Sequence, residues 1–280
     1  MKKMMVVASM LLAFTAQAQI KMPAPSPAQT IVQEFGMGKI EITYSRPNLK
    51  GRSILKENSD LLQLGKMWRT GANAATKVKF TDAVTVGGNA IDSGTYVLYT
   101  IPGKDTWEII FNKGSNNWGV DGYKKEEDVV RFSVPADKMK GSVETFTMQV
   151  ANITAESCEI HLMFGTAAVK IPVTTNVKDR LRKQVETALS ADKVSANVYQ
   201  AAANFYFEWD KDFAKALVNA TKATEANPKA FWLFLLKAKI EKELGDKVSA
   251  KASAEKCVSL ATDAKNDDYV KMGKDLIKGL

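Results

Sequence analysis

The residues best equipped for recognition chemistry are concentrated in one stretch, residues 44–76. It reads Tyr44-Ser45-Arg46-Pro47, then Lys50-Gly51-Arg52, then Trp68-Arg69-Thr70-Gly71-Ala72-Asn73-Ala74-Ala75-Thr76. A guanidinium is a planar fork that holds a carboxylate or phosphate through two parallel hydrogen bonds, and an indole face stacks on a sugar ring or on a second guanidinium. Arg46, Lys50, Arg52, Trp68, Arg69 and Asn73 are therefore the candidate contacts for a small polar or anionic ligand. Trp118, in a later turn rich in Asn and Gly, is a further stacking surface. The competing reading is structural, because arginines in long loops also tie down backbone carbonyls and Trp68 is large enough to plug a core.

Catalytic signatures are scarce. His161 is the only histidine in the chain, which excludes a two-His metal site and the H-E-x-x-H helix. There is no C-x-x-C, no phosphate-binding G-x-x-x-x-G-K-[ST], no G-x-G-x-x-G after a strand and no G-x-S-x-G elbow. His161 alternates with Cys158, Ile160 and Leu162, so it is expected on the solvent face of a strand. Residues 112–122 are rich in oxygen side chains but contain one carboxylate, Asp121, where calcium loops assemble several. No cofactor and no metal site is predicted. The enzymatic alternative is a hydrolase acting on envelope glycans, with Glu41 or Asp121 assisting the arginines, yet no paired carboxylates stand in a recognisable setting. A third alternative makes the protein purely structural.

Two periodicities must position these residues. Between residues 29 and 174 apolar residues alternate with period two in short runs separated by Gly, Asn, Asp and Pro. Ile40, Ile42 and Tyr44 share one face; Val84-Thr85-Val86 and Asn89-Ala90-Ile91 flank Gly87-Gly88, a two-residue hairpin signal. Further strands are expected over residues 95–101, 107–112, 129–134, 143–153, 157–164 and 167–173, the last at a sheet edge because Pro172 has no N–H to donate. A short helix is expected over residues 60–65. Strands with tight turns and no interleaved helices predict an antiparallel β-sandwich or jelly roll. After Thr175 the period becomes 3.6, with stripes such as Leu181, Val185, Ala188 and Leu189, and a last helix is expected over residues 267–277. Ala216, Ala220, Ala223 and Asp212 recur 34 residues later as Ala250, Ala254, Cys257 and Asp246. The fold class is thus α+β in two parts, with a sandwich over residues 29–175 and a helical array over residues 179–280. Phe231, Trp232 or Phe234 is expected to rest the array against the sandwich. Cys158 and Cys257 fall in different parts and read as buried free thiols.

Two resemblances follow from these motifs. The order Ser-Arg-Pro, Lys-Gly-Arg, Trp-Arg-Thr-Gly-Ala-Asn-Ala-Ala-Thr, then Gly94-Thr95-Tyr96-Val97-Leu98, Ile101-Pro102, Trp107 and Ile110-Phe111-Asn112, resembles the exported Gram-negative domain-of-unknown-function family 2911 over about residues 25–174. The resemblance implies a β-rich domain, often followed by tetratricopeptide-like helices, and it implies no activity. The interval of 34 over residues 197–262 resembles a tetratricopeptide repeat, closed by Pro228. Asn204 and Ala238 depart from its usual Gly, and Glu241 stands where an aromatic is usual.

Composition bounds the partners. At 45% apolar and 25% charged residues the chain is globular rather than disordered or collagen-like. Lys2 and Lys3, the apolar residues 4–14 and Ala16-Gln17-Ala18 read as a signal peptide over residues 1–18, cleaved after Ala18 and followed by a Pro-rich leader over residues 19–28. The protein is therefore expected to be periplasmic or secreted, without a membrane span. The formal charge of +8 is spread along the chain rather than gathered into a basic face, which argues against a nucleic-acid partner. The leading expectation is a non-catalytic envelope protein: an Arg/Trp loop site for a small ligand, joined to a helical platform for a protein or peptide.

Overall fold

The computed structural model describes residues 22–280; the signal peptide expected over residues 1–18 lies outside the described residues. Nine antiparallel strands come first: β1 (Ala28–Phe35), β2 (Gly38–Ser45), β3 (Thr76–Phe80), β4 (Val84–Val86), β5 (Asn89–Ile91), β6 (Gly94–Pro102), β7 (Thr106–Asn112), β8 (Asp128–Ala151) and β9 (Ser157–Thr174). Their hydrogen-bonded order is β1-β2-β3-β6-β7-β8-β9-β4-β5. The sheet folds over on itself through β8, whose first part pairs with β7 and whose second part pairs with β9. Side chains from the two layers meet in one core: Ile40, Ile42, Val78 and Ile109 from one, Phe146, Ile160, Phe164 and Val169 from the other, none more than 1% exposed. The alternation of each strand dictates this, since period two delivers every second side chain to the same side.

The expected hairpin forms at Gly87-Gly88, with φ of +55° and +83°, the left-handed pair that a two-residue turn requires. Gly87 is needed twice over, because a Cβ there would lie 2.2 Å from the Phe132 ring. Three expectations are corrected. Residues 129–134 and 143–153 belong to the single strand β8, and residues 157–164 and 167–173 to β9, bent at Gly165 (φ +58°). Pro172 lies on β9, which is interior and not an edge; it is tolerated because the β8 ladder ends at Ala136–Val169 before reaching it, and its carbonyl accepts from Gly87. Residues 60–65 are an irregular loop rather than a helix: the Ser59 hydroxyl accepts from the Leu61 and Leu62 amides as a helix cap would, but the Leu62 carbonyl accepts from the Leu55 amide and Gln63 bridges to Lys56, so the backbone pairs with residues 55–56 instead of with itself.

Six helices follow: α1 (Val177–Leu189), α2 (Ala196–Asn204), α3 (Phe213–Ala226), α4 (Phe231–Glu243), α5 (Lys247–Asp263) and α6 (Asp267–Lys278). α2 continues as a π-helical turn over Phe205–Asp210, ended by Lys211 at φ +59°. The 34-residue interval is visible in three dimensions. Asp212 caps α3 and Asp246 caps α5, each carboxylate accepting from the amide three residues on at 3.0 Å. Ala216, Ala220 and Ala223 are as fully buried on α3 as Ala250, Ala254 and Cys257 are on α5, which lets neighbouring helices approach closely.

The array does not reach the sandwich through Phe231 and Trp232, which pack on each other, with Phe231 also on Tyr269. The joint is instead the first turn of α1. Glu156 accepts from the Val177 and Lys178 amides at 2.8 and 2.9 Å, and Arg180 forms a two-pronged pair with Asp82 at 2.8 and 3.3 Å.

Candidate ligand-binding cleft

The segment from Trp68 to Thr76 is knotted into the sandwich rim by its own sequence. The Trp68 backbone exchanges two hydrogen bonds with Thr100 of β6, at 2.7 and 3.0 Å, which sends the indole inward and Arg69 outward. Trp68 is buried among Trp107, Phe146 and Phe164, and its indole N–H donates to the Gly71 carbonyl at 3.0 Å. Thr70 is fully buried at φ +55°, an uncommon conformation for a β-branched residue, held because Thr76 donates to its carbonyl at 2.5 Å. Gly71 cannot be replaced cheaply, since a Cβ would meet the Ser45 carbonyl at 2.9 Å. Asn73, at φ +58°, ties the turn to Ser26 and Ser45 through its side-chain amide.

Beside this knot lies a cleft of about 390 Å³, lined by Trp68, Arg69 and Asn73 together with Asp60, Gln63, Lys66, Met67 and Val120. Arg69 donates one nitrogen, Nη1, to the Asn73 carbonyl at 2.8 Å; Nε and Nη2 have no hydrogen-bond partner among the described residues. The guanidinium rests on Gly119, where an added Cβ would come within 2.8 Å of Cζ. Behind it, burial raises the Tyr99 hydroxyl pKa, while the Asn117 amide and the Arg69 charge act to lower it. Arg69 therefore contributes positive field at the cleft wall with part of its fork unengaged.

The structure separates the predicted site residues into two sets. Trp68, Arg69 and Asn73 come together. Arg46 does not join them: it spans to the second layer, donating to the Phe146 carbonyl at 3.0 Å and the Thr147 hydroxyl at 2.8 Å. Arg52 folds back on the Leu49 and Asn48 carbonyls at 3.0 and 2.8 Å, beside a neighbouring depression that shares Ser59 and Asp60 with the cleft. Lys50 is exposed, and its amide, not its ammonium, is the group that engages Glu144. Trp118 is 64% exposed and its backbone bridges to Ala74, next to the cleft but outside its lining. Glu41 is paired with Lys79 at 3.4 Å on β2. Residue types gave no signal for Gln63, Lys66 or Val120, whose place in the lining comes from how loops far apart in sequence meet.

A model described as "Protein of unknown function (DUF2911)" matches residues 26–173, just over half of the chain. The chain belongs to the DUF2911 family. The match begins just before β1 and ends one residue short of the last residue of β9, so the whole DUF2911 region is sandwich and every cleft residue lies within it. The six helices follow the DUF2911 region and are not covered by it. No curated protein matches the chain. No helix among the described residues is long and apolar enough to cross a membrane.

Elsewhere in the DUF2911 sandwich, polar groups serve the scaffold. Asn112, fully buried on β7, donates to the Lys124 carbonyl and to Asp128, and Asp128 also receives Tyr123 and Arg131. That network seats residues 113–127 over the outside of β6 and β7, and so fixes Gly119 and Val120 at the cleft.

Proposed function

We propose that this DUF2911 protein is a non-catalytic binding module of the cell envelope, whose cleft at Arg69 takes a small anionic or acidic-sugar ligand. The observation that carries the reading is the half-engaged Arg69 guanidinium at the wall of an open cleft, with Lys66, Gln63 and the exposed Asn73 beside it. A fork with free donors is what bidentate capture of a carboxylate or phosphate needs. Asp60 is the one carboxylate of the lining, and no histidine or cysteine lines it, which favours binding over acid–base hydrolysis. The helices add a second surface for a protein or peptide; their 34-residue spacing, matched caps and small buried residues support a tetratricopeptide-like array. Export through residues 1–18 completes the proposal, and intact mass of the mature chain, expected to begin at Gln19, tests that part.

The cleft is tested by comparing Arg69→Ala with Arg46→Ala. Arg69→Ala should abolish capture of carboxylate or phosphate compounds in an organic-anion and acidic-glycan binding screen while lowering stability by no more than about 1 kcal/mol, as for a surface change. Arg46→Ala should leave binding intact and destabilise by about 1–3 kcal/mol, because the Phe146 carbonyl loses its side-chain donor. Equal ligand binding by wild type and Arg69→Ala, or an empty screen with Arg69→Ala as destabilised as Arg46→Ala, would overturn the assignment in favour of a structural role.

A further inference from the structure

The sheet has two outer strands, β1 and β5, and they are finished differently. β5 is three residues long, which leaves little backbone for another chain to pair with. β1 runs for eight residues in unbroken register with β2, from Ala28 against Ser45 to Phe35 against Gly38, with no bulge, no proline and no lysine or arginine. Among the described residues β2 is its only hydrogen-bonded neighbour in the sheet. Proteins usually blunt a long edge with one of those devices, because its unpaired backbone is a template for a further strand. We propose that β1 pairs antiparallel with β1 of a second copy of this chain, so that the two sandwiches share one continuous sheet. This surface lies outside the Arg69 cleft and is independent of it.

The alternation of the ladder identifies the free backbone groups. In an antiparallel pair, residues that exchange both N–H···O bonds alternate with residues that exchange none. Arg46 donates its amide to the Pro27 carbonyl at 2.9 Å, one step ahead of the Ala28–Ser45 pair. Counting on from Pro27, the residues that bond to β2 are Gln29, Ile31, Gln33 and Phe35. The other side of β2 agrees: the Thr81 amide donates to the Lys39 carbonyl at 3.1 Å, so the odd-numbered residues of β2 serve β3 and the even-numbered ones serve β1. Ala28, Thr30, Val32 and Glu34 therefore turn their N–H and C=O groups to the open edge. The Glu34 carbonyl takes the Gln33 side-chain amide at 2.9 Å, and the other groups have no partner among the described residues.

A two-fold axis through Ile31 is the one placement that gives all four of these residues a hydrogen-bonding partner. It sets Ala28 against the partner's Glu34 and Thr30 against the partner's Val32, each pair exchanging bonds, with Ile31 against the partner's Ile31 between them. An axis through Thr30 or Val32 leaves one of the four beyond the end of the opposite strand, and an axis between residues sets bonding positions against non-bonding ones. The side chains suit the same register. On the solvent face Val32, 57% exposed, gains the partner's Thr30, and Glu34 meets an alanine rather than a second carboxylate. On the core side Ile31, half-buried against the sandwich, meets its own copy, and Gln29 meets the partner's Gln33. No like charges face each other, and cross-strand apolar pairs of this kind stabilise a sheet.

Sedimentation velocity of the full chain over a concentration series tests this, and a monomer–dimer equilibrium is expected. Under mild oxidation Ile31→Cys should cross-link the dimer, because the Cα atoms of a non-bonded pair lie about 4.5 Å apart, within the span of a disulfide. Gln33→Cys should not, since its two copies are about 14 Å apart along the strands. The native Cys158 and Cys257 are buried and do not compete. Thr30→Lys, Val32→Lys places solvent-facing charges that oppose each other only in the dimer, and should raise its dissociation constant by about tenfold or more. Val32→Pro removes an edge N–H that β2 does not use and should act in the same direction. A circular dichroism melt checks that each variant retains the fold. Monomer at every concentration, or dimerisation undiminished in the lysine and proline variants, would overturn the proposal, as would equal cross-linking of Ile31→Cys and Gln33→Cys. A chain that stays monomeric yet captures an extended peptide along β1 would also overturn it, giving the edge to a different partner.

Discussion

At the scale of single residues, the partner decides the role. Arg46, Arg52 and Arg69 are chemically alike and close in sequence, yet Arg46 is spent on a carbonyl one hundred residues away, Arg52 on carbonyls three and four residues back, and Arg69 keeps part of its fork. Residue type named all three; no local pattern could separate them, because the Phe146 carbonyl that claims Arg46 comes from the second layer of the sandwich. Trp68 shows the same limit, being legible as a large aromatic in a loop and placed in the core only by its backbone pairing with Thr100. The thiols give a sharper case. Burial, with the Glu159 charge second, pushes the Cys158 thiol up to about 11, and burial raises Cys257 as well. Since the thiolate is the reacting species, both should resist a disulfide reagent at pH 8 in the native protein and react once it is unfolded. Prompt labelling of the native chain, read by absorbance or intact mass, would contradict their burial.

Among the elements, alternation and the 34-residue recurrence were legible, while the caps and the continuity of the strands were not. Period two located the strands of the first layer, and Gly87-Gly88 located its hairpin, because both signals are written in consecutive residues. The single course of β8 was hidden by the polar run around residues 137–144, where the bulge exposes side chains on both faces and erases the alternation. The repeated N-caps carry a consequence of their own. The Lys215 amide and side chain hold the Asp212 carboxyl below its ordinary pKa, and the Ser249 hydroxyl and amide do the same for Asp246. A carboxyl depressed in the folded state contributes stability above its unfolded value, near 4, and that contribution is lost as pH falls through the lower folded value. Helical ellipticity should therefore fall on acidification below about pH 4. Serine at both positions keeps a capping oxygen without a titrating group, so the Asp212→Ser, Asp246→Ser variant should show a shallower acid transition; superimposable curves would remove the caps from the explanation.

The whole molecule is joined at a short stretch, residues 174–180. The family match stops at residue 173, but the physical unit extends further. Val177 is buried and lies against Gly36, Glu156 caps α1, and Arg180 reaches Asp82. A fragment of residues 22–175 should fold with a strand-dominated circular dichroism spectrum, and extension to residue 190 should raise its melting temperature by restoring these contacts. Equal melting of the two fragments would show that α1 contributes nothing to the sandwich. A different consequence follows from β8, which belongs to both layers of the sandwich. Elsewhere, two sheets that merely face each other can part like the covers of a book. Here the spine is a continuous strand of 24 residues, hydrogen-bonded to β7 along one portion and to β9 along another. The handover from β7 to β9 falls between Pro135 and Ala136, so the two layers are tethered covalently at that point and their relative angle is set by the bend of one strand.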